Sequence, residues 1–141
     1  MKPIILAALF ALLLPAASYA EEAKGTPSPK GAKVMILEPK AGAEVASPVT
    51  VKFGIEGMEV APAGTDKANT CHHHLIIDGK VDDMANAIPA DANHVHFGKG
   101  QTEATVELKP GKHTLQLVLG DKNHVPHNPP VMSDVISVTV K

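Results

Sequence analysis

The chain has 141 residues, with 13 basic and 15 acidic side chains and a formal net charge of −2, a length that fits one domain with a modest core. Every basic residue is lysine, so the forked guanidinium that reads phosphates and base edges is missing, and the weak acidity gives no general pull toward nucleic acid or anionic lipid. Aromatic residues make up only 3%, which removes the stacking platforms that bases and sugar rings need.

The chain opens on Met1-Lys2, followed by an apolar run from Ile4 to Leu14, Pro15, and the small-residue site Ser18-Tyr19-Ala20. This is the pattern of a secretory signal peptide. The run is too short to span a bilayer, which takes about 20 residues. Residues 1–20 are therefore expected to be cut off after Ala20, releasing a soluble periplasmic protein that starts at Glu21 and has no membrane span. Cleavage would remove Lys2, Phe10 and Tyr19, leaving a net charge of −3 and Phe53 and Phe97 as the aromatic residues.

Residues 21–32 are rich in Pro, Gly, Ala, Ser and Lys and read as a flexible leader. The domain proper is expected over 33–141. Strands are predicted at Lys33 to Glu38, Val49 to Glu56, Cys71 to Asp78, Thr102 to Lys109, His113 to Leu119 and Ser133 to Lys141, with a shorter one at His94 to Phe97. The alternation is clearest at Val49, Val51, Phe53 and Ile55, and again at Leu115, Leu117 and Leu119. Asp78-Gly79 and Lys109-Pro110-Gly111-Lys112 mark turns. Val81 to Asp91 has room for a helical turn, limited by Pro89. About seven short strands and no long amphipathic helix predict an all-β fold, an antiparallel immunoglobulin-like β-sandwich.

The eight histidines carry the chemical signal. His72, His73 and His74 follow the sole cysteine, Cys71. His94 and His96 form an H-x-H pair, and His124 and His127 sit in the loop before the last strand. His113 stands apart, in the turn after Gly111, and is left out. Imidazole suits copper and zinc, and a thiolate adds affinity for soft ions. H-x-H on a strand puts both rings on one face. In a sandwich, the start of the third strand and the loop before the last strand lie at the same end, which brings Cys71, His72, His73 and His74 near His124 and His127. His94 and His96 join them if their strand pairs with the third. The candidate metal ligands are thus Cys71, His72, His73, His74, His94, His96, His124 and His127, and the expected cofactor is a copper or zinc ion.

Simpler roles exist for several of these residues. Histidines at a strand end can bond to Asp78, Asp121 or Asp134. Cys71 packs well as a small buried residue. Met58 and Met132 fit the core or its rim, and Gly98-Lys99-Gly100 fits a turn.

The strings CHHHLIID, HVHFGKGQTEATVELKPGKHTLQLVLGDKNHVPHNPPVMS and ISVTV resemble an uncharacterised family of small secreted bacterial β domains, a domain-of-unknown-function group. Some of its members carry a rod shape-determining label. The resemblance spans Lys33 to Lys141. It implies a small β domain outside the cytoplasm, and it marks Gly98, Gly100, Gln101, Thr102, Glu103, Gly120 and Asp121, together with the histidine segments, as motif positions. It implies no particular activity.

Three functions fit. The first is a periplasmic metal-binding protein that delivers or sequesters copper or zinc. The second is a non-enzymatic module that binds another envelope protein, with the histidines as a structural network. The third is a small metal-dependent enzyme. His94, His96 and Glu103 resemble the metal motif of cupins, but the gap from His96 to Glu103 is too long for that motif and the chain is short for a cupin barrel.

Overall fold

The computed structural model describes residues 25–141; the expected signal peptide and the first residues of the leader lie outside this range. Nine strands follow in order: β1 (Lys33–Glu38), β2 (Glu44–Val45), β3 (Val49–Glu56), β4 (Glu59–Val60), β5 (Thr70–Ile77), β6 (His94–Phe97), β7 (Glu103–Val106), β8 (Gly111–Gly120) and β9 (Ile136–Val140). They form two sheets. One has the order β1-β3-β7; the other runs β2-β9-β8-β5-β4, with β6 also paired to β5.

Alternation explains the core. Val49, Val51 and Phe53 of β3 and Val34 of β1 point at Leu75, Ile77, Leu115, Leu117, Leu119, Val138 and Val140 of the facing sheet, and all are buried in one cluster. The fold is thus the expected immunoglobulin-like all-β sandwich. Seven of the strands are those predicted. The two-residue strands β2 and β4 add short parallel pairings, to β9 and β5, in an otherwise antiparallel fold. The seventh strand of the chain stops at Val106, earlier than the alternation suggests, although Leu108 is still buried.

β5 sets the site. It lies between β8 on one side and β4 and β6 on the other, and all eight of its residues are buried. A strand buried on one face alone would alternate. Here Cys71, Leu75 and Ile77 face the main core, while Ile76 joins Val81, Ile88 and Val118 in a second cluster with Met84 packed against it. The segment between β5 and β6 holds no helix; it folds over the outer face of the sheet as a cover. The Ile88 amide donates to the His124 carbonyl at 2.9 Å, which ties this cover to the loop after β8.

That loop is fixed in turn by Asp121, which is 3% exposed. Its carboxylate accepts from the amides of Thr26, Asn123 and Val125 and from the Thr26 hydroxyl, at 2.8 to 3.2 Å. Burial alone would raise the Asp121 pKa; the hydrogen bonds from Asn123, Thr26 and Val125 outweigh it and hold it below the usual value. Gly25 to Pro29, part of the leader read from composition, run alongside. The Asn128 amide donates to the Thr26 carbonyl at 3.0 Å and the Ser28 amide to the Asn128 carbonyl at 3.2 Å.

Candidate metal centre

Pairing in register places the rings. His74 stands opposite His96 across the β5–β6 ladder, and His72 lies two residues from His74 on the same outer face. Both β5 rings therefore point under the cover, where His124 descends from the loop. His124 has φ of 65°, a left-handed turn that a short loop between Asp121 and Pro126 imposes.

His72, His74, His96 and His124 converge so that one ring nitrogen from each lies within 4.8 Å of the others. His72 Nε2 is 2.9 Å from His74 Nε2 and 3.0 Å from His124 Nδ1. A ring nitrogen carries either one proton or one in-plane lone pair, so His72 Nε2 cannot make a full hydrogen bond to both. Nitrogens held around one ion by bonds of ~2.0–2.1 Å stand about 2.9 Å apart along the edge of a square plane and about 3.3 Å apart in a tetrahedron. The two shortest separations in the cluster, 2.9 and 3.0 Å, match such an edge.

The environment keeps three of these rings neutral. His72 is pushed down to about 4, first by burial and then by the nearby His124 and His96. Burial, followed by His72, His96 and His124, takes His74 down to about 2. His96 is also lowered, by burial and then His124. Free lone pairs, not protons, are thus what His72, His74 and His96 offer at neutral pH, which is the form a metal requires.

Of the eight predicted ligands, the structure gathers these four and places the others elsewhere. Cys71 and His73 occupy the inner face of β5. The Cys71 thiol, pushed up to about 12 by burial, donates weakly to the Glu59 carbonyl at 3.7 Å. His73 packs its ring on Phe53, with centroids 4.7 Å apart. His94 is turned to Asp91 and to the Lys80 carbonyl, at 2.7 and 3.0 Å. His127 Nδ1 donates to the Thr26 carbonyl at 3.2 Å.

His94 shows a useful contrast, and His113 repeats it. His113 donates to the Asp78 carboxylate at 2.6 Å and to the Lys109 carbonyl at 2.7 Å. With both ring nitrogens facing acceptors, each of these histidines is stabilised as an imidazolium. The pKa of His113 is raised, chiefly by Asp78. For His94 burial pulls downward, but Asp91 and the Lys80 carbonyl outweigh it. These two rings are structural, and no lone pair is left for a metal.

Two glycines among the family motif positions have a role that the sequence alone did not supply. A Cβ on Gly120 would sit 2.7 Å from His74 Nε2, and one on Gly98 would collide with His96 Cε1. Each leaves the space its histidine ring occupies. His74 Nδ1 is buried without a partner, so packing against Gly120, rather than a second hydrogen bond, orients this ring. We therefore expect Gly120→Ala to weaken metal binding by roughly ten- to a hundredfold, the range seen when an orienting contact is lost, although no ligand is removed. A competitive titration against a chromophoric chelator checks this; an unchanged affinity would show that His74 is not held by this contact.

A cavity of about 240 Å³ opens beside the cluster, lined by His74, His96, His124, Ala87, Ile88 and Ala90. A larger one, about 340 Å³, lies between β1 and residues 132–136 and contains none of the histidines. Among the described residues, no helix is long and apolar enough to cross a membrane.

No curated protein matches the chain. Among solved structures, it is similar to the fibronectin(III)-like modules of Clostridium thermocellum CbhA, at 14% identity, over 76% of this chain and 92% of that one, with a TM-score of 0.33. The model of the family described as "Domain of unknown function (DUF4399)" matches residues 51–141, a stretch that holds every histidine of the cluster. The chain belongs to the DUF4399 family.

Proposed function

We propose that this protein binds one copper or zinc ion through His72, His74, His96 and His124, and that it acts in the periplasm to carry or sequester the metal. The convergence of four ring nitrogens within 4.8 Å supports this reading best. His94 and His113, whose roles are structural, each turn both ring nitrogens to acceptors. These four instead face one another, an arrangement that leaves hydrogen-bonding capacity unmet until a cation occupies the centre.

The pre-formed cluster suits capture. An imidazole of ordinary pKa competes with protons for the metal near neutrality; His72 and His74, at about 4 and about 2, do not. These two ligands therefore need to release little proton when the metal binds. The Asp121 anchor and the cover over β5 hold the ligands before the metal arrives, so less ordering entropy is lost on binding. A carrier or store fits better than an enzyme, because all four gathered side chains are ligands, and the cavity's remaining lining, Ala87, Ile88 and Ala90, offers no acid or base.

The test is native mass spectrometry and elemental analysis of the untagged protein, purified from the periplasm and then challenged with copper and zinc. One ion per chain is expected. A protein that stays metal-free under both conditions would overturn the reading and leave the interaction module as the better account.

A further inference from the structure

The cluster is not closed on all sides. His72 and His74 are each 1% exposed; His74 lines the cavity with His96 and His124, and His72 does not. The site is a bowl with the buried His72 and His74 at its base and the exposed His96 at its mouth. Beyond those rings the lining is Ala87, Ile88 and Ala90, which carry no side-chain donor atom. Ala87, Ala90 and His96 are exposed, so the mouth reaches solvent. A volume of about 240 Å³ is several times the ~30 Å³ share of one water molecule.

Charge adds a second, independent observation. Four imidazoles bring no negative charge to a divalent ion, and the cluster holds no carboxylate or thiolate among the described residues. Asp121 acts on His72 through space, but both its oxygens are taken by Thr26, Asn123 and Val125. A divalent ion here would keep its double positive charge next to an apolar wall, where an opposite charge is attracted far more strongly than in water.

We propose that the metal-loaded site takes a small monovalent anion, of the size class of azide or a halide, as an additional ligand entering from this cavity. The inference rests on the metal reading above. The anion's lone pair is donated to the ion in an ordinary coordination bond; nothing is oxidised or reduced and no proton moves. Divalent copper accepts further ligands beyond a square of nitrogens, and this wall supplies no protein ligand to compete.

The experiment uses the untagged protein, first shown to hold one equivalent of Cu(II), and titrates it with sodium azide while recording absorption and electron paramagnetic resonance spectra. A saturable azide-to-copper charge-transfer band with a changed copper spectrum is expected. Ala90→Leu and, separately, Ala87→Leu add bulk to the cavity lining and remove no ligand; each is expected to retain its copper and lose at least tenfold in azide affinity. Copper spectra that ignore azide would overturn the inference while leaving the metal reading intact. So would equal azide affinity in copper-loaded leucine variants. A protein that takes up no copper or zinc at all overturns the metal reading, and the anion site with it.

Discussion

Replacing His72 and His74 together with alanine is expected to lower copper or zinc affinity by well over a hundredfold while the sandwich still folds. The size follows from their position: loss of an outer orienting contact alone costs ten- to a hundredfold, and here two of four ligands go, including the buried base of the site. The fold survives because the inner face of β5 remains. Leu75 and Ile77 stay in the main core, and the ladders to β6 and β8 use backbone atoms. His113→Ala is the control. It loses the bonds to Asp78 and Lys109 yet should bind metal as the parent does. Metal titration with circular dichroism on the same samples reads both quantities. Unchanged affinity in the double variant would exclude His72 and His74 as ligands.

The second large effect concerns His73. It is fully buried, and neither ring nitrogen has a hydrogen-bond partner. Burial pushes its pKa from 6.5 down to about 4, against a weak opposing pull from the Gln101 backbone. The unfolded chain, with an ordinary imidazole, takes up its proton first as pH falls. Stability is therefore fully present above pH 6.5 and is lost progressively down to about pH 4, where the loss levels off. The size is about 3 kcal/mol, since every tenfold loss of proton affinity is worth ~1.4 kcal/mol.

His73→Leu keeps the volume apolar and removes both unmet nitrogens. We expect the variant to be at least as stable as the parent at pH 7, because an unsatisfied buried polar group costs roughly 1–3 kcal/mol. At pH 4 its advantage should grow by about 3 kcal/mol. Urea unfolding of the metal-free proteins at both pH values measures this. Parallel stability profiles for the two proteins would mean that His73 is not the buried neutral ring described here.

The sandwich was legible because alternation along β3, β8 and β9 survives in the sequence as apolar residues every second position. The same alternation separates His72 and His74 from Cys71 and His73, two faces of one strand, so that pairs at i and i+2 carry more information than the contiguous run. What was hidden lies in contacts between distant segments. Whether His96 joins the cluster depends on β6 pairing with β5, and no local signal fixes strand order.

The choice between His124 and His127 was equally closed to periodicity. Both sit in an irregular loop, and their directions are set by the Asp121 anchor and by Thr26, about a hundred residues away in the chain. Val81, Met84 and Ile88 carry a helix-like spacing that suggests a helical turn. The structure uses them as an irregular cover, because burying the outer face of β5 outweighs a short helix interrupted by Pro89. Ala87 and Ala90, the walls of the cavity, have no signature at all.

X-ray absorption on the zinc- or copper-loaded protein tests the four-histidine centre most directly, because imidazole and thiolate ligands differ in both distance and scattering. The account predicts a shell of nitrogen at ~2.0 Å with the outer-ring scattering of about four imidazoles, and no sulfur. A sulfur shell at ~2.3 Å would bring Cys71 into the site and contradict the placement of its thiol on the opposite face of β5.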